Sequence, residues 1–296
     1  CLLNYYSKNI TKCGIDPILN KYKNNYKNIK YSIPTFFSAK KIKNKTKKKF
    51  KIITALSVFY DAEDPNKFLK DVRNLLMPNG IFLVEFADLA SIIRFKMFDT
   101  ICHEHLEYYS SKVIMNLAKN NGLKVFDIKE NNINGGSKQY YLCLKNSNIP
   151  VNIKTINKIL SSENKLKLNK VSTFIKFFKK INKLKFNLNS IIQSILNKNQ
   201  KIHCYGASTK GNVILQYFKI DEKKIKFVAE RNKNKYGLFT PGTNINIISE
   251  KKSRFMKPDY YLVLPWHFQD EILKREKKII KKGVKFIFPL PNIKVI

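Results

Sequence analysis

Apolar runs of strand length that alternate with amphipathic helical stretches govern what this chain can become. A strand, a helix and another strand in succession bury their faces most simply in a parallel sheet. Phe50 to Val58 is one such run. Asp64-Pro65 then opens a helix through Phe68, Leu69, Val72, Leu75 and Leu76, with the acid as cap and Pro in the first turn. Pro78-Asn79-Gly80 reads as a turn, and Ile81 to Phe86 as the next strand. The pattern returns later. Lys201 to Tyr205 leads through Gly206–Asn212 into a helix at Val213, and strands follow at Ile225 to Ala229, Asp259 to Leu264 and Lys285 to Phe288. These repeated units make residues 200–296 a small Rossmann-like domain.

The opening is expected to be a broken copy of the same architecture. Leu2, Leu3, Tyr5 and Tyr6 suggest the tail of a helix, and Lys12 to Asp16 a short strand ended by an acid and Pro17. In a doubly wound sheet the acid that ends the second strand lies at the carboxyl edge, where ligands bind. The first strand and its glycine loop are then expected upstream of Cys1. A helix through Val113, Ile114, Leu117 and Ala118 ends at Asn121-Gly122, and strands at Leu123 to Ile128 and Tyr140 to Leu144 close the first domain near residue 148. Residues 151–199 contain no Gly and no Pro. Phe174, Phe178, Ile181, Leu184, Leu188, Ile191, Ile192 and Ile195 recur there at helical spacing, which predicts a long amphipathic connector packed between two domains rather than a membrane-seeking helix. The expected division is 1–148, 149–199 and 200–296.

No stretch of about 18 apolar residues is present, so nothing in the sequence is long enough to span a membrane as a helix. At 44% hydrophobic and 26% charged, the composition excludes a wholly disordered chain. Fifty-seven Lys and Arg against 21 Asp and Glu leave a formal charge of +36. The excess is mostly Lys, spread evenly and accompanied by abundant Asn and Ile, which fits a solvated surface better than a dedicated nucleic-acid site. A positive field still attracts phosphorylated small molecules. Cys1, Cys13, Cys102, Cys143 and Cys204 are scattered and odd in number, so neither a disulfide framework nor a zinc site is expected within this chain, and the cytoplasm is its natural compartment.

The densest cluster of reactive groups runs from Phe98 to Ser110 and holds His103, Glu104 and His105. In extended backbone His103 and His105 would share one face with Glu104 opposite. A metal reading needs a third ligand that no other His- or Cys-rich element offers. Two surface histidines, or acid–base work, remain. A histidine with an ordinary pKa near ~6.5 takes a proton at neutral pH, and a neighbouring carboxylate orients its ring. Asn134-Gly135-Gly136-Ser137 is a turn whose glycines also permit a ligand to approach the backbone. Gly206 to Asn212 follows a strand and opens a helix, where N–H groups and Lys210 suit an anion; a plain strand-to-helix turn has the same spacing.

Taken together, these strings resemble the S-adenosylmethionine-dependent sugar C-methyltransferases, which methylate a carbon of nucleotide-linked 4-keto-deoxysugars. The resemblance rests on Gly14–Pro17, Ser57–Pro65, Phe98–Leu106, Asn134–Ser137, Gly206–Asn212, Arg231-Asn232, Pro241–Thr243 and Leu264–Phe268, in family order from end to end. It implies an α/β fold: a class I methyltransferase (Rossmann-like) domain lacking its first strand, the helical connector, and a Rossmann-like C-terminal domain. It implies zinc only in a further N-terminal domain outside this sequence. Asp16 matches the acid on the cofactor ribose, with Ala55, Leu56 and Ser57 on the strand edge beside it. His105 matches the family's base and Glu104 its acidic neighbour, with His103 alongside. Cys102 stands where characterised members commonly have Tyr. Gly135, Gly136, Ser137, Ser208, Lys210, Asn212, Trp266 and His267 are the implied contacts for a nucleotide-linked sugar. The implied reaction is methyl transfer to the carbon beside a ketone. Transfer to a sugar oxygen in surface-polysaccharide assembly, or mere binding of a nucleotide sugar, are the alternatives.

Overall fold

The computed structural model describes residues 2–25 and 29–296; Cys1 lies outside them. In chain order the elements are β1 (Cys13–Ile15), β2 (Tyr31–Ile33), α1 (Ala39–Lys43), β3 (Phe50–Leu56), α2 (Pro65–Leu75), β4 (Leu76–Phe86), α3 (Leu89–Phe95), α4 (Ser111–Asn120), β5 (Leu123–Asn131) and β6 (Ser137–Leu144). They continue with α5 (Ile153–Leu166), α6 (Val171–Asn197), β7 (Ile202–Tyr205), α7 (Thr209–Phe218), β8 (Phe227–Glu230), β9 (Asn246–Ser249), α8 (Glu250–Phe255), β10 (Tyr260–Val263), α9 (Gln269–Ile280), β11 (Lys285–Phe288) and β12 (Lys294–Val295).

The chain divides into two units that interleave in sequence. One comprises residues 1–86, 111–129 and 139–158; the other 87–110, 130–138 and 159–296. The expected cut near residue 148 is therefore replaced by several crossings. Residues 87–110, with the His-Glu-His string, and 130–138, with the double-glycine loop, group with the C-terminal unit. A buried ionic cluster joins three of these stretches. The Lys138 ammonium donates to Asp88 at 2.9 Å and to Glu163 at 2.5 Å, tying three separate stretches of chain together.

In the first unit β1 and β2 pair in parallel, and a four-stranded sheet has the order β3-β4-β6-β5. Pairing of β3 with β4 is parallel, as the strand–helix–strand pattern requires. Asp64 accepts a hydrogen bond from the Lys67 amide at 2.9 Å and Pro65 occupies the first helical turn, so α2 begins where its cap demands. The turn expected at Pro78–Gly80 is instead a slip inside β4. Phe50 faces Leu76 and Ile52 faces Ile81, so four residues loop out against one. Gly80 permits this, because a Cβ there would sit 2.9 Å from the Phe50 carbonyl oxygen. The core of this unit gathers Phe59, Leu69, Val72, Phe82, Val84, Phe86 and Tyr140, all buried, with the Phe86 and Tyr140 rings stacked at 5.4 Å.

In the second unit a six-stranded sheet runs β12-β11-β10-β7-β8-β9, parallel except for β12. Strand order reverses between β7 and β10, the position at which doubly wound sheets open a crevice beyond their carboxyl ends. The expected connector is two helices, not one. A break at residues 167–170 is held by the Thr173 hydroxyl, which donates to the Leu166 and Lys167 carbonyls left over at the end of α5. Nor is α6 a bridge: Phe177, Ile181, Leu184, Leu188, Ile192 and Ile195 are buried in the same core as β7, α7 and β10. Phe177 occupies the core in place of Phe178, which is exposed.

Candidate active site

Two groups of candidate residues fall in different units. In the first unit Asp16 follows directly on β1. Its Oδ1 accepts from the Ile18 amide at 2.8 Å, fixing the carboxylate in a local turn. Ala55 is buried and Leu56 is 40% exposed at the carboxyl end of β3. Ser57, next in line, has φ +52, and its amide donates to the Glu85 carbonyl at 2.8 Å. A non-glycine residue in the left-handed region at a sheet's carboxyl edge is a strained position that the neighbouring strand enforces.

The His-Glu-His string lies in the second unit and is not extended. Asp88 caps α3 through the Ala90 and Ser91 amides; after α3, Phe98–Thr100 forms a tight helical turn. Cys102 to His105 then closes a second turn, with the His105 amide donating to the Cys102 carbonyl at 3.2 Å. The expected shared face of His103 and His105 is thereby lost. His103 and Glu104 occupy the corner of this turn and are exposed, whereas His105 is half-buried. The His105 ring is oriented by a backbone carbonyl rather than by the expected carboxylate. Its Nδ1 lies 2.7 Å from the Thr100 oxygen, an acceptor only, so Nδ1 carries the proton and Nε2 is the basic nitrogen.

Around Asp99 three further segments converge. Trp266, in the turn after β10, donates its indole N–H to Asp99 Oδ2 at 2.7 Å. Lys210, in the first turn of α7, places its ammonium 3.7 Å from the same oxygen and donates to the Asn134 carbonyl at 2.9 Å. The ammonium also sits 5.5 Å from the centre of the Trp266 ring. Gly135, at φ +94, packs so closely on that ring that a Cβ would lie 2.4 Å from it, and at Gly136 a Cβ would meet Phe95 at 2.8 Å. These glycines are required for packing within the unit. Burial raises the Asp99 carboxyl above its ordinary range, opposed by Lys210, while burial lowers Lys210 itself, opposed by Asp99. Asp99 Oδ1, Thr100 Oγ1 and His267 Nδ1 are buried without a hydrogen-bond partner. Burial and the nearby Lys210 hold His267 neutral, down at about 4.

The remaining sequence candidates have local duties. Ser137 donates its hydroxyl to the Ile133 carbonyl at 2.9 Å, and Ser208 caps α7 by accepting from the Gly211 amide at 3.1 Å. Asn212 is half-buried on α7. A cavity of about 540 Å³ opens at the reversal of strand order, beyond β7, β8 and β10. Of the sequence candidates Ser208 lines it; Lys210, Asn212, Trp266 and His267 do not. Its charged walls are Glu230, Arg231, Lys235, Glu250, Glu271 and Arg275. Glu230 ends the second strand of its sheet as Asp16 ends β1, so the same positional rule would have found it. Its carboxylate accepts from the Ala207, Arg231 and Asn232 amides, which draws the loop after β7 against the end of β8.

Among the described residues no group of three or more His, Cys, Asp or Glu side chains is placed to hold a metal ion, and no helix is long and apolar enough to cross a membrane.

Residues 132–291 match a family described as the C-methyltransferase C-terminal domain, and residues 2–128 match one described as a methyltransferase domain. The C-methyltransferase NovU of Streptomyces niveus is 27% identical over 246 residues, which cover 83% of this chain and 58% of that protein. The chain therefore spans well under two thirds of this curated relative. Among solved structures, the LepI complex with SAM is 12% identical, with a TM-score of 0.35 over 45% of this chain and 36% of that one. Mitomycin 7-O-methyltransferase MmcR is 12% identical, with a TM-score of 0.31 over 48% and 52%. An O-methyltransferase family protein from Burkholderia thailandensis is 13% identical, with a TM-score of 0.32 over 47% and 45%.

Proposed function

This chain belongs to the C-methyltransferase family whose C-terminal domain it carries over residues 132–291, and from that premise we propose that it serves methyl transfer to a carbon beside the ketone of a nucleotide-linked 4-keto-deoxysugar. The observation that carries the reading is the His105 ring, fixed by the Thr100 carbonyl with Nε2 as its basic nitrogen. A C–H next to a ketone is acidic because its conjugate base is an enolate, with the charge moved onto oxygen. His105 Nε2 takes that proton and becomes an imidazolium held by the Thr100 carbonyl. Hydrogen-bond donors aimed at the developing oxygen charge lower the barrier further.

The first unit suits S-adenosylmethionine. Asp16 offers its carboxylate to a ribose hydroxyl, and Ala55, Leu56 and Ser57 offer a short apolar edge with a strained turn at its end. When bound, this cofactor supplies an electrophilic methyl group on a sulfonium. The nucleotide portion of the sugar donor is assigned to the cavity beyond β7, β8 and β10, where Arg231 and Lys235 stand among the walls and Ser208 begins α7. Gly135, Gly136, Ser137, Lys210, Asn212, Trp266 and His267 do not line that cavity, and Gly135, Gly136, Lys210 and Trp266 act by packing and bonding around Asp99.

The test is His105→Asn with a nucleotide-linked 4-keto-6-deoxysugar in D2O. Loss of turnover, loss of deuterium exchange at the acidified carbon and unchanged sugar binding support the assignment. Exchange that continues at the parent rate removes it. Methylation of the reduced 4-hydroxy sugar would point to oxygen as the acceptor instead.

A further inference from the structure

We propose that Asp99 and Trp266 form a positioning pair that sets the orientation of His105 from the C-terminal sheet, a role that rests on His105 being the base. The two residues are 167 positions apart in the chain and meet through one hydrogen bond of 2.7 Å. Asp99 is the central residue of the turn Phe98–Thr100, and its side chain is fully buried. Thr100 follows it, and the Thr100 carbonyl is the atom that holds His105 Nδ1. The Thr100 carbonyl shares its planar peptide unit with the Ile101 amide, which donates to the Phe98 carbonyl at 2.9 Å, so anchoring the turn at Phe98 and Asp99 restricts the direction in which the Thr100 carbonyl points.

The anchor is strong on the far side. Trp266 is buried at 5% exposure in the turn that ends β10, inside the core that contains β7 and α7. Phe98, on the near side of Asp99, stacks on Phe218 of α7 at 4.9 Å between ring centres. The turn is thus pinned twice, by a ring and by a carboxylate, to two elements of the Rossmann-like sheet. Lys210 adds the charge that lets a carboxylate be buried there, and its contact with the Asn134 carbonyl draws the double-glycine loop to the same point. Trp266 accordingly acts on the reaction through Asp99 and Thr100, as a positioning residue. A loop histidine gains most from such a device, because a displacement of about 1 Å at a reacting group costs on the order of a hundredfold in rate.

The experiment reads the His105 tautomer directly. The chain has four histidines, so a sample labelled with nitrogen-15 at histidine gives a resolvable two-bond correlation spectrum. In the parent protein His105 is expected to carry its proton on Nδ1. Trp266→Phe keeps the ring and deletes the donor; Asp99→Leu keeps the shape and deletes the acceptor. Both are expected to shift His105 toward a mixture with the Nε2-protonated form. Asp99→Asn, whose amide oxygen still accepts from the indole, is expected to retain the parent pattern. The signal of His203, which bonds Ser253 at 2.8 Å elsewhere in the unit, reports in the same spectra that each variant is folded. In turnover, Trp266→Phe is expected to lower kcat tenfold or more with KM for the nucleotide sugar changed less than threefold. An unchanged His105 pattern in folded Trp266→Phe or Asp99→Leu overturns the proposal. Continued exchange in His105→Asn overturns the base assignment instead, since the tautomer is measured without reference to turnover.

Discussion

At Gly135 the backbone turns with φ +94 against the face of Trp266, and no side chain fits between them. Gly135→Ala must both enter a region disfavoured for L-residues, at about 1–3 kcal/mol, and displace an indole that is bonded to Asp99. We expect a loss of at least about 2 kcal/mol in denaturant unfolding, a drop in turnover, and a changed fluorescence from Trp266, the one tryptophan in the chain. Retention of parent stability and emission would show that the loop can move off the ring at no cost. The sequence marks this glycine pair plainly, because two adjacent glycines after Asn134 announce an unusual backbone. What it hides is the partner, which lies more than a hundred residues away. The same limit applies to His105. Its identity as a candidate is readable from the string, but the turn at Cys102–His105 is not, and neither is the carbonyl that orients the ring. Spacing of two suggests a shared face only while the backbone is extended, and here it is not.

Helices α5 and α6 carry the lesson at the level of elements. The 3.6-residue period of their apolar positions is legible, and so is helix as the outcome. Two things are not: the break, which depends on the Thr173 hydroxyl reaching back to Leu166 and Lys167, and the phase at the start of α6, where Phe174, Phe177 and Phe178 compete. Packing against the C-terminal core selects Phe177. Contrasting substitutions separate a core helix from a bridging one. Leu188, fully buried, should lose about 2–5 kcal/mol on change to Ala. Phe178→Ala, at 44% exposure, should cost well under that, within about 1 kcal/mol. Equal costs in urea unfolding would mean that α6 is buried on two faces and that its assignment to the C-terminal core is wrong.

For the molecule as a whole, the α/β class and the parallel pairings of β3 with β4 and among β11, β10, β7, β8 and β9 follow from the alternation of strands and helices, whereas the grouping of residues into units does not. Interleaving depends on a few side chains that meet across long stretches of chain, and Lys138 is the chief of them. Nearly all of the positive charge that dominates the composition is lysine, and composition gives no hint that one such lysine is completely buried between Asp88 and Glu163. Its position is costly in isolation, since removing an ammonium from water is repaid only by close carboxylates. Asp88 in turn caps α3, immediately before the His-Glu-His turn, and Glu163 lies on α5, so the cluster joins residues 87–110, 130–138 and the stretch from 159 onward. Lys138→Met keeps the length of the side chain and leaves two buried carboxylates without their cation. The expected loss is about 3–5 kcal/mol at neutral pH. Denaturant unfolding of parent and variant measures it, and a variant as stable as the parent at pH 7 would mean that hydrophobic contacts alone hold these segments together and that the ionic cluster is incidental to the fold.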